Sequence, residues 1–288
     1  MTTPLTESWQ PSAREVERRG IRRRLRWRST AIASTVTVVV LVTGLLVITR
    51  SPGWPAVRET FFNGEHAKAV FPQIWDGFWT YNVRMFLIAE PLILALGLAL
   101  ALARGARSAW LVPVRILAVV YTDLFRGIPT LLLVYLFVFG MPSLGLQGVP
   151  NSIFFWATMA LVVSYGAYVA EVFRSGIESI HPSQITSAQA LGLNRWQTMR
   201  HVVVPQAVRR VIPPLLNDFV SLQKDTSLVS AVAIFDALFT ARDYSNYNFN
   251  YTPYVVAAAF FVVLTVPLAR LTDWLQRRTA ERERAGAL

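Results

Sequence analysis

The chain has no cysteine and few charged residues for its length of 288. The lack of cysteine excludes disulfide bonds, thiolate catalysis and cysteine-ligated metal sites, although it does not identify the redox compartment. Charged residues make up 16% of the sequence, whereas a soluble domain usually has about 25%. Its three histidines, at 66, 181 and 201, are far apart and lack metal-ligand spacing. The shortage of charged residues favours lipid as the solvent.

Long uncharged runs occupy much of the chain. The run from Ser29 to Thr49 has no charge over 21 residues, and the run from Ile153 to Ala170 has none over 18. A helix needs about 20 apolar residues to cross roughly 30 Å of hydrocarbon. We therefore predict an all-α integral membrane protein with spans near 30–49, 78–103, 127–141, 153–173, 211–233 and 254–270.

The net charge of +11 follows these spans. Every second gap is basic, and 22 of the 28 Lys and Arg residues fall in 1–28, 104–126, 174–210 and 270–288. Because cytoplasmic loops collect Lys and Arg, both termini of the membrane protein are predicted to be cytoplasmic, and the positive charge is explained without a nucleic-acid partner. The first run could instead be a signal peptide, but it is longer than the usual core and no cleavage site clearly follows.

The predicted organisation has five parts. They are a basic cytoplasmic tail (1–28), an extra N-terminal transmembrane helix (29–50), an external loop (51–75), a transmembrane domain (76–275) containing a cytoplasmic loop (178–205), and a second basic tail (276–288).

Two predicted spans are interrupted. Gly127 and Pro129 stand at the entrance of one span, and Pro213 with Pro214 lies in another. Proline removes a helical hydrogen bond, so we predict helix breaks at these positions. Polar side chains at membrane depth face protein or water, and interrupted helices often line transport paths. The candidate pathway residues are Glu90, Glu171, Asp218, Gln223, Lys224, Asp225, Thr226 and Ser227.

These polar residues have a structural alternative. They could satisfy one another between packed helices, with Lys224 paired to Asp218 or Asp225. Arg84 could extend to the membrane interface, and Glu90 could make a structural contact.

The cytoplasmic loop has its own pattern. Ile185, Ala188 and Leu191 recur at helical spacing and predict one apolar stripe. Gly192 can adopt the left-handed conformation that ends a helix.

A second short helix is predicted after this glycine. Asn194 and Gln197 resemble a capping box, and Trp196 and Met199 continue the apolar side. Such a unit suits docking into a groove on a partner, or alternatively lying on the lipid surface.

The loop resembles the EAA loop of permease subunits of bacterial ABC importers, which reads Glu-Ala-Ala, three residues, Gly, nine residues, Ile-x-Leu-Pro. The spacing is kept here, although Thr186 and Ser187 replace the Glu and the first Ala. In that family the loop docks on the ATP-binding subunit. The resemblance implies coupling residues at Gln184, Thr186, Ser187, Ala188, Leu191, Gly192, Leu193, Trp196 and Pro205.

Three further motifs, at 121–129, 168–177 and 221–228, resemble signatures of permeases for polar amino acids such as histidine, glutamate, glutamine, arginine and opines. The four matches together cover about 76–275. They imply a type I ABC-importer transmembrane fold with a five-helix core. The segment at 30–49 is extra, and we expect it to brace that core.

The chain has no Gly-x-x-x-x-Gly-Lys-Ser/Thr phosphate loop, so we predict no catalysis and no cofactor or metal in it. The resemblance implies ATP and Mg²⁺ on partner ATP-binding subunits. It also implies a second permease, identical or a sister chain, and an external amino-acid-binding protein. The alternatives are an ion-coupled carrier without an ATPase and a membrane-embedded enzyme. Co-purification with an ATPase separates both from an importer.

Overall fold

The computed structural model describes residues 12–106, 108–145 and 147–285, and every regular element within these ranges is helical. The predictions for residues 1–11 and 286–288 lie outside the described residues. The chain divides into two compact units, with the boundary between Glu59 and Thr60.

The first unit is dominated by one long helix. Helix α1 runs from Ala13 to Thr49, and nearly all of its described side chains are exposed. The described part of the predicted basic tail therefore continues into the predicted N-terminal span without a break. Helix α2, Trp54–Phe61, follows and crosses the unit boundary.

The remaining helices form the second unit. They are α3 (Gly64–Gly77), α4 (Arg84–Gly105), α5 (Val112–Gly127), α6 (Thr130–Tyr135), α7 (Met141–Ser143), α8 (Ile153–Glu178), α9 (Pro182–Ala190), α10 (Arg195–Thr198), α11 (Val204–Asp225), α12 (Ala237–Asn248) and α13 (Thr252–Ala285). Wider π-helical turns join α3 to α4, α6 to α7 and α10 to α11, and a 3₁₀ segment, Thr226–Val232, follows α11.

The prediction of a loop over 51–75 is wrong where α3 forms. The Asn63 side chain caps this helix, because its Oδ1 accepts hydrogen bonds from the backbone N–H groups of Glu65 and His66 at 2.9 and 3.3 Å. Val70 and Ile74 are fully buried, in a cluster with α12 and α13. Their four-residue spacing is a helical signal, which Pro72 and the surrounding aromatic residues obscured.

Four helical segments are long and apolar enough to cross a membrane: 14–49, 54–105, 153–178 and 252–278. A bent pair, 109–127 with 130–143, makes five if it counts as one span. We predicted a further span at 211–233. Its described helix, α11, is not apolar enough to count among these segments, because polar residues and prolines interrupt its apolar positions.

Helices α4 and α8 pack closely at the centre of the second unit. A Cβ on Gly97 would lie 2.5 Å from Cγ1 of Val169 and 3.1 Å from the backbone nitrogen of Ala170. Glycine at this position therefore permits the approach of the two helices.

We expect Gly97→Val to destabilise the protein by about 1–3 kcal/mol, the usual range for overpacking a core. The matched control is Gly44→Val in α1, where an added Cβ meets nothing within 4 Å. Thermal unfolding, monitored by size-exclusion chromatography, should show a clearly lower melting temperature for Gly97→Val only. Equal melting temperatures for both variants would contradict the packing described.

Candidate functional site

The chain bends sharply at the predicted break between α5 and α6. Helix α5 ends at Gly127, Ile128 is extended, and the helical segments on either side make an angle of 106°. Hydrogen bonds hold the bend against α8: the Tyr168 hydroxyl donates to the Arg126 carbonyl oxygen at 3.2 Å, and the Thr130 and Ser164 hydroxyls lie 2.9 Å apart. Pro129 has no backbone N–H group to continue the helix, and this lack together with the contacts to α8 accounts for the bend.

The predicted break at Pro213 and Pro214 is wrong, because both prolines lie inside the continuous helix α11. Residues 208–210 are exposed, so the carbonyl groups that lose their helical partners remain accessible. The Pro213 carbonyl accepts a hydrogen bond from Gln276 Nε2 at 3.3 Å. The helix ends later, at Asp225, and Ala233 adopts a left-handed conformation with φ 59° after the 3₁₀ segment.

The loop between α8 and α11 forms two short helices separated by Gly192, which has φ +84°. Asn194 Oδ1 accepts from the Gln197 backbone N–H, and Gln197 Oε1 accepts from the Asn194 backbone N–H, both at 2.9 Å. This reciprocal capping box starts α10. The loop is therefore ordered by its own local sequence.

The loop presents large apolar side chains to its surroundings. Leu191 is 84% exposed and Trp196 is 70% exposed, whereas Ala188 is buried. The predicted single stripe is wrong for Leu191, because α9 ends at Ala190 and Leu191 lies beyond its last turn. The other predicted coupling residues are also accessible, with Leu193 half-buried and Gln184, Thr186, Ser187, Gly192 and Pro205 exposed.

The polar side of α11 contains an unpaired carboxylate. Oδ2 of Asp218 is buried and has no hydrogen-bond partner among the described residues. Glu90 on α4 is half-buried, and its carboxylate is close enough to that of Asp218 for the two negative charges to repel each other. Lys224 is exposed and makes no ion pair with any described residue, so the structural alternative in which Lys224 pairs with Asp218 or Asp225 is wrong.

Other residues of the predicted pathway bind neighbouring helices. Asp225 Oδ2 accepts a hydrogen bond from the Tyr165 hydroxyl at 2.7 Å. Gln223 is 2% exposed, and its Oε1 accepts a hydrogen bond from the Thr265 hydroxyl. Ser227 is half-buried beside them. These contacts favour a positioning role for Asp225 and Gln223, and they leave Asp218 and Glu90 as the carboxylates without a described partner.

A buried network at the end of the 3₁₀ segment was not predicted. Asn82 Nδ2 donates to Asp236 Oδ2 at 2.9 Å and to the Thr226 hydroxyl at 3.3 Å. Asn82 Oδ1 accepts from the Ala237 backbone N–H at 3.1 Å. Because Asn82 lies in the π-helical turn before α4, the network ties that turn to the interrupted end of α11. Its sequence signal is a single Asn within an apolar run.

Glu171 lies apart from Asp218, in a cluster of arginines. It makes ion pairs with Arg104 at 3.1 Å, with Arg126 at 3.8 Å and with Arg174. Glu171 is six residues beyond Tyr165 on α8, or roughly 9 Å along the helix axis. Its three cationic partners favour a structural role near the loop of α9 and α10, in place of the predicted pathway role.

Residues 93–281 match the family model described as "Binding-protein-dependent transport system inner membrane component". That match covers more than half of the chain. The chain belongs to this family. It is therefore a multi-pass membrane permease, and its helices carry both the exposed loop and the polar side of α11.

The chain also matches curated relatives over nearly the whole length of each relative. The permease is 34% identical over 209 residues to the probable glutamine ABC transporter permease protein GlnM of Bacillus subtilis, covering 72% of this chain and 94% of the relative. It is 30% identical over 226 residues to the probable amino-acid ABC transporter permease protein YckA of the same organism, covering 77% and 96%.

Solved structures share the fold. An amino acid ABC transporter crystallised with histidines aligns with a TM-score of 0.65 and 28% identity, covering 72% of this permease and 94% of that chain. The MetNI methionine ABC transporter in an inward-facing conformation aligns with a TM-score of 0.57 and 18% identity, covering 72% and 95%. The permease therefore has the ABC-importer transmembrane fold.

Proposed function

We propose that this permease is the membrane-spanning subunit of an ATP-driven importer for polar amino acids such as glutamine and glutamate. The observation that supports it most is the ordered loop with Leu191 and Trp196 exposed, because exposed apolar side chains of this size mark a contact with a protein or with lipid, and the motif spacing of the loop favours a protein. The loop keeps the spacing of the sequence that docks on ATP-binding subunits. The names of the curated relatives support amino acids as substrates.

The proposed complex has two ATP-binding subunits, a second permease and an external binding protein, with ATP and Mg²⁺ on the ATP-binding subunits. Both termini and the loop lie on the cytoplasmic side. ATP binding to these subunits shifts the permease between inward-open and outward-open states, because the two states differ in their contacts with the ATP-loaded subunits and only differential binding shifts such an equilibrium.

The unpaired carboxylates refine the substrate class. Asp218 and Glu90 lack cationic partners among the described side chains. An ammonium group, which every amino acid carries, would compensate this charge. A second negative charge on the substrate would oppose it, so we expect glutamine or a cationic amino acid to be transported faster than glutamate.

The test is reconstitution of the full chain in liposomes with its ATP-binding subunit and its binding protein, followed by a screen of labelled glutamine, glutamate, histidine and arginine. ATP-dependent uptake of at least one of them is expected. Uptake that continues without the ATP-binding subunit would overturn the proposal in favour of an ion-coupled carrier. A fully assembled complex that transports no amino acid would overturn the substrate class.

A further inference from the structure

A basic cavity lies where the ends of α4 and α8 meet the loop of α9 and α10. Its volume is about 440 Å³, and its walls carry four arginines against one glutamate: Arg104, Arg115, Arg174, Arg195 and Glu178. Much of the remaining wall belongs to α9, α10 and the π-helical turn that follows. The cavity is therefore shared between the membrane helices and the loop.

Two of these arginines are neutralised and two are not. Arg104 pairs with Glu171, and Arg174 pairs with Glu171 and Glu178. Arg115 is half-buried and Arg195 is exposed, and neither makes an ion pair within the described part of the chain. Cations concentrated in a concave surface attract anions more strongly than isolated surface charges do.

Thr198 supplies a second, independent observation. It lines the cavity, it is 3% exposed, and its hydroxyl oxygen has no hydrogen-bond partner among the described atoms. A buried hydroxyl without a partner is unfavourable, and a helical threonine can place its hydroxyl in either of two rotamers. Because Thr198 lines the cavity, its hydroxyl can donate to an anion held by the arginines.

The chemistry of these donors fits a phosphate group. Guanidinium groups bind phosphate oxygens with paired hydrogen bonds, and a hydroxyl adds a further donor. The position also fits, because Trp110, in the 3₁₀ turn just before α5, is 92% exposed, and Leu117, on the same helix as Arg115, is 68% exposed. Tryptophan is enriched at the membrane–water interface, which is the depth of lipid phosphates.

We propose that this cavity binds a phosphate group, from an anionic lipid headgroup or from phosphate in solution, between Arg115, Arg195 and Thr198. Arg115 belongs to a membrane helix, whereas Arg195 and Thr198 belong to the loop. A bound phosphate thus holds the loop against the membrane helices and stabilises one of its positions. This site is separate from Asp218 and takes no part in binding the transported solute.

The test uses the purified full chain in a neutral detergent, with binding measured by native mass spectrometry in two arms. One arm adds phosphatidylglycerol and the other adds inorganic phosphate. The double variant Arg115→Gln with Arg195→Gln should bind at least tenfold more weakly. The control, Arg200→Gln with Arg209→Gln, removes the same charge from exposed arginines outside the cavity and should bind as the parent does.

Each arm identifies a source. Variant-sensitive binding of phosphatidylglycerol alone supports the proposal with lipid as the source, and variant-sensitive binding of inorganic phosphate supports it with solution as the source. Equal loss in the two double variants, or no loss in either, overturns it. Thr198→Val sharpens the result: we expect about tenfold weaker binding, whereas a hydroxyl that takes no part in the site would leave binding unchanged.

Discussion

The double variant Leu191→Asp with Trp196→Asp is expected to lose its ATP-binding subunit and all ATP-dependent uptake while remaining folded in the membrane. The two parent side chains are 84% and 70% exposed, so neither supports the core of the permease. A tryptophan anchor at an interface commonly contributes 2 kcal/mol or more, on the order of 30-fold in affinity. A buried carboxylate in the same place adds a desolvation penalty. Affinity capture of the ATP-binding subunit and uptake in liposomes measure both effects.

The matched control is Leu144→Asp. Leu144 is 63% exposed and follows α7, so it precedes α8, whereas Leu191 follows α8. The two leucines therefore lie in loops at opposite ends of one helix. The control should keep both its ATP-binding subunit and its uptake. Normal capture and uptake by the double variant would remove the loop from the coupling mechanism.

Local sequence determined the features that were predicted best. The capping box of Asn194 and Gln197 needs only residues three apart, and the bend at Gly127 needs only the proline two positions later. The position of each is encoded within one turn of helix, whereas the angle of the bend also depends on the contacts of Tyr168 and Ser164 on α8. The geometry of the loop could therefore be inferred before its fold was known.

Distant contacts determined the features that were missed. Asn82 meets Asp236 across 154 positions, and no local pattern indicates such a partner. The helix continues through Pro213, where Gln276 of α13 donates to the proline's carbonyl oxygen. The sequence left open whether Lys224 lines the path or pairs with a neighbouring carboxylate, and the structure places it on an exposed side of α11. Helical periodicity alone does not show which side a neighbouring helix covers.

Asp218→Asn is expected to lower ATP-dependent uptake at least tenfold and to leave the complex assembled, with unchanged or higher thermal stability. The substitution keeps the shape of the side chain and removes a buried charge that has no described partner. A charged hydrogen bond to a substrate ammonium is worth about 1.5–3 kcal/mol, which corresponds to tenfold or more. Removing an uncompensated buried charge should itself stabilise the folded protein.

Lower uptake combined with unchanged or higher thermal stability would show that Asp218 acts in transport and not in packing. If Asp218 were only structural, Asp218→Asn would leave uptake intact, and that result would exclude it from the path. Asp243→Asn is the matched control, because Asp243 is a half-buried carboxylate on α12 outside the candidate site. Glu90→Gln completes the comparison: unchanged uptake in an assembled complex would remove Glu90 from the path, and reduced uptake would place it there with Asp218.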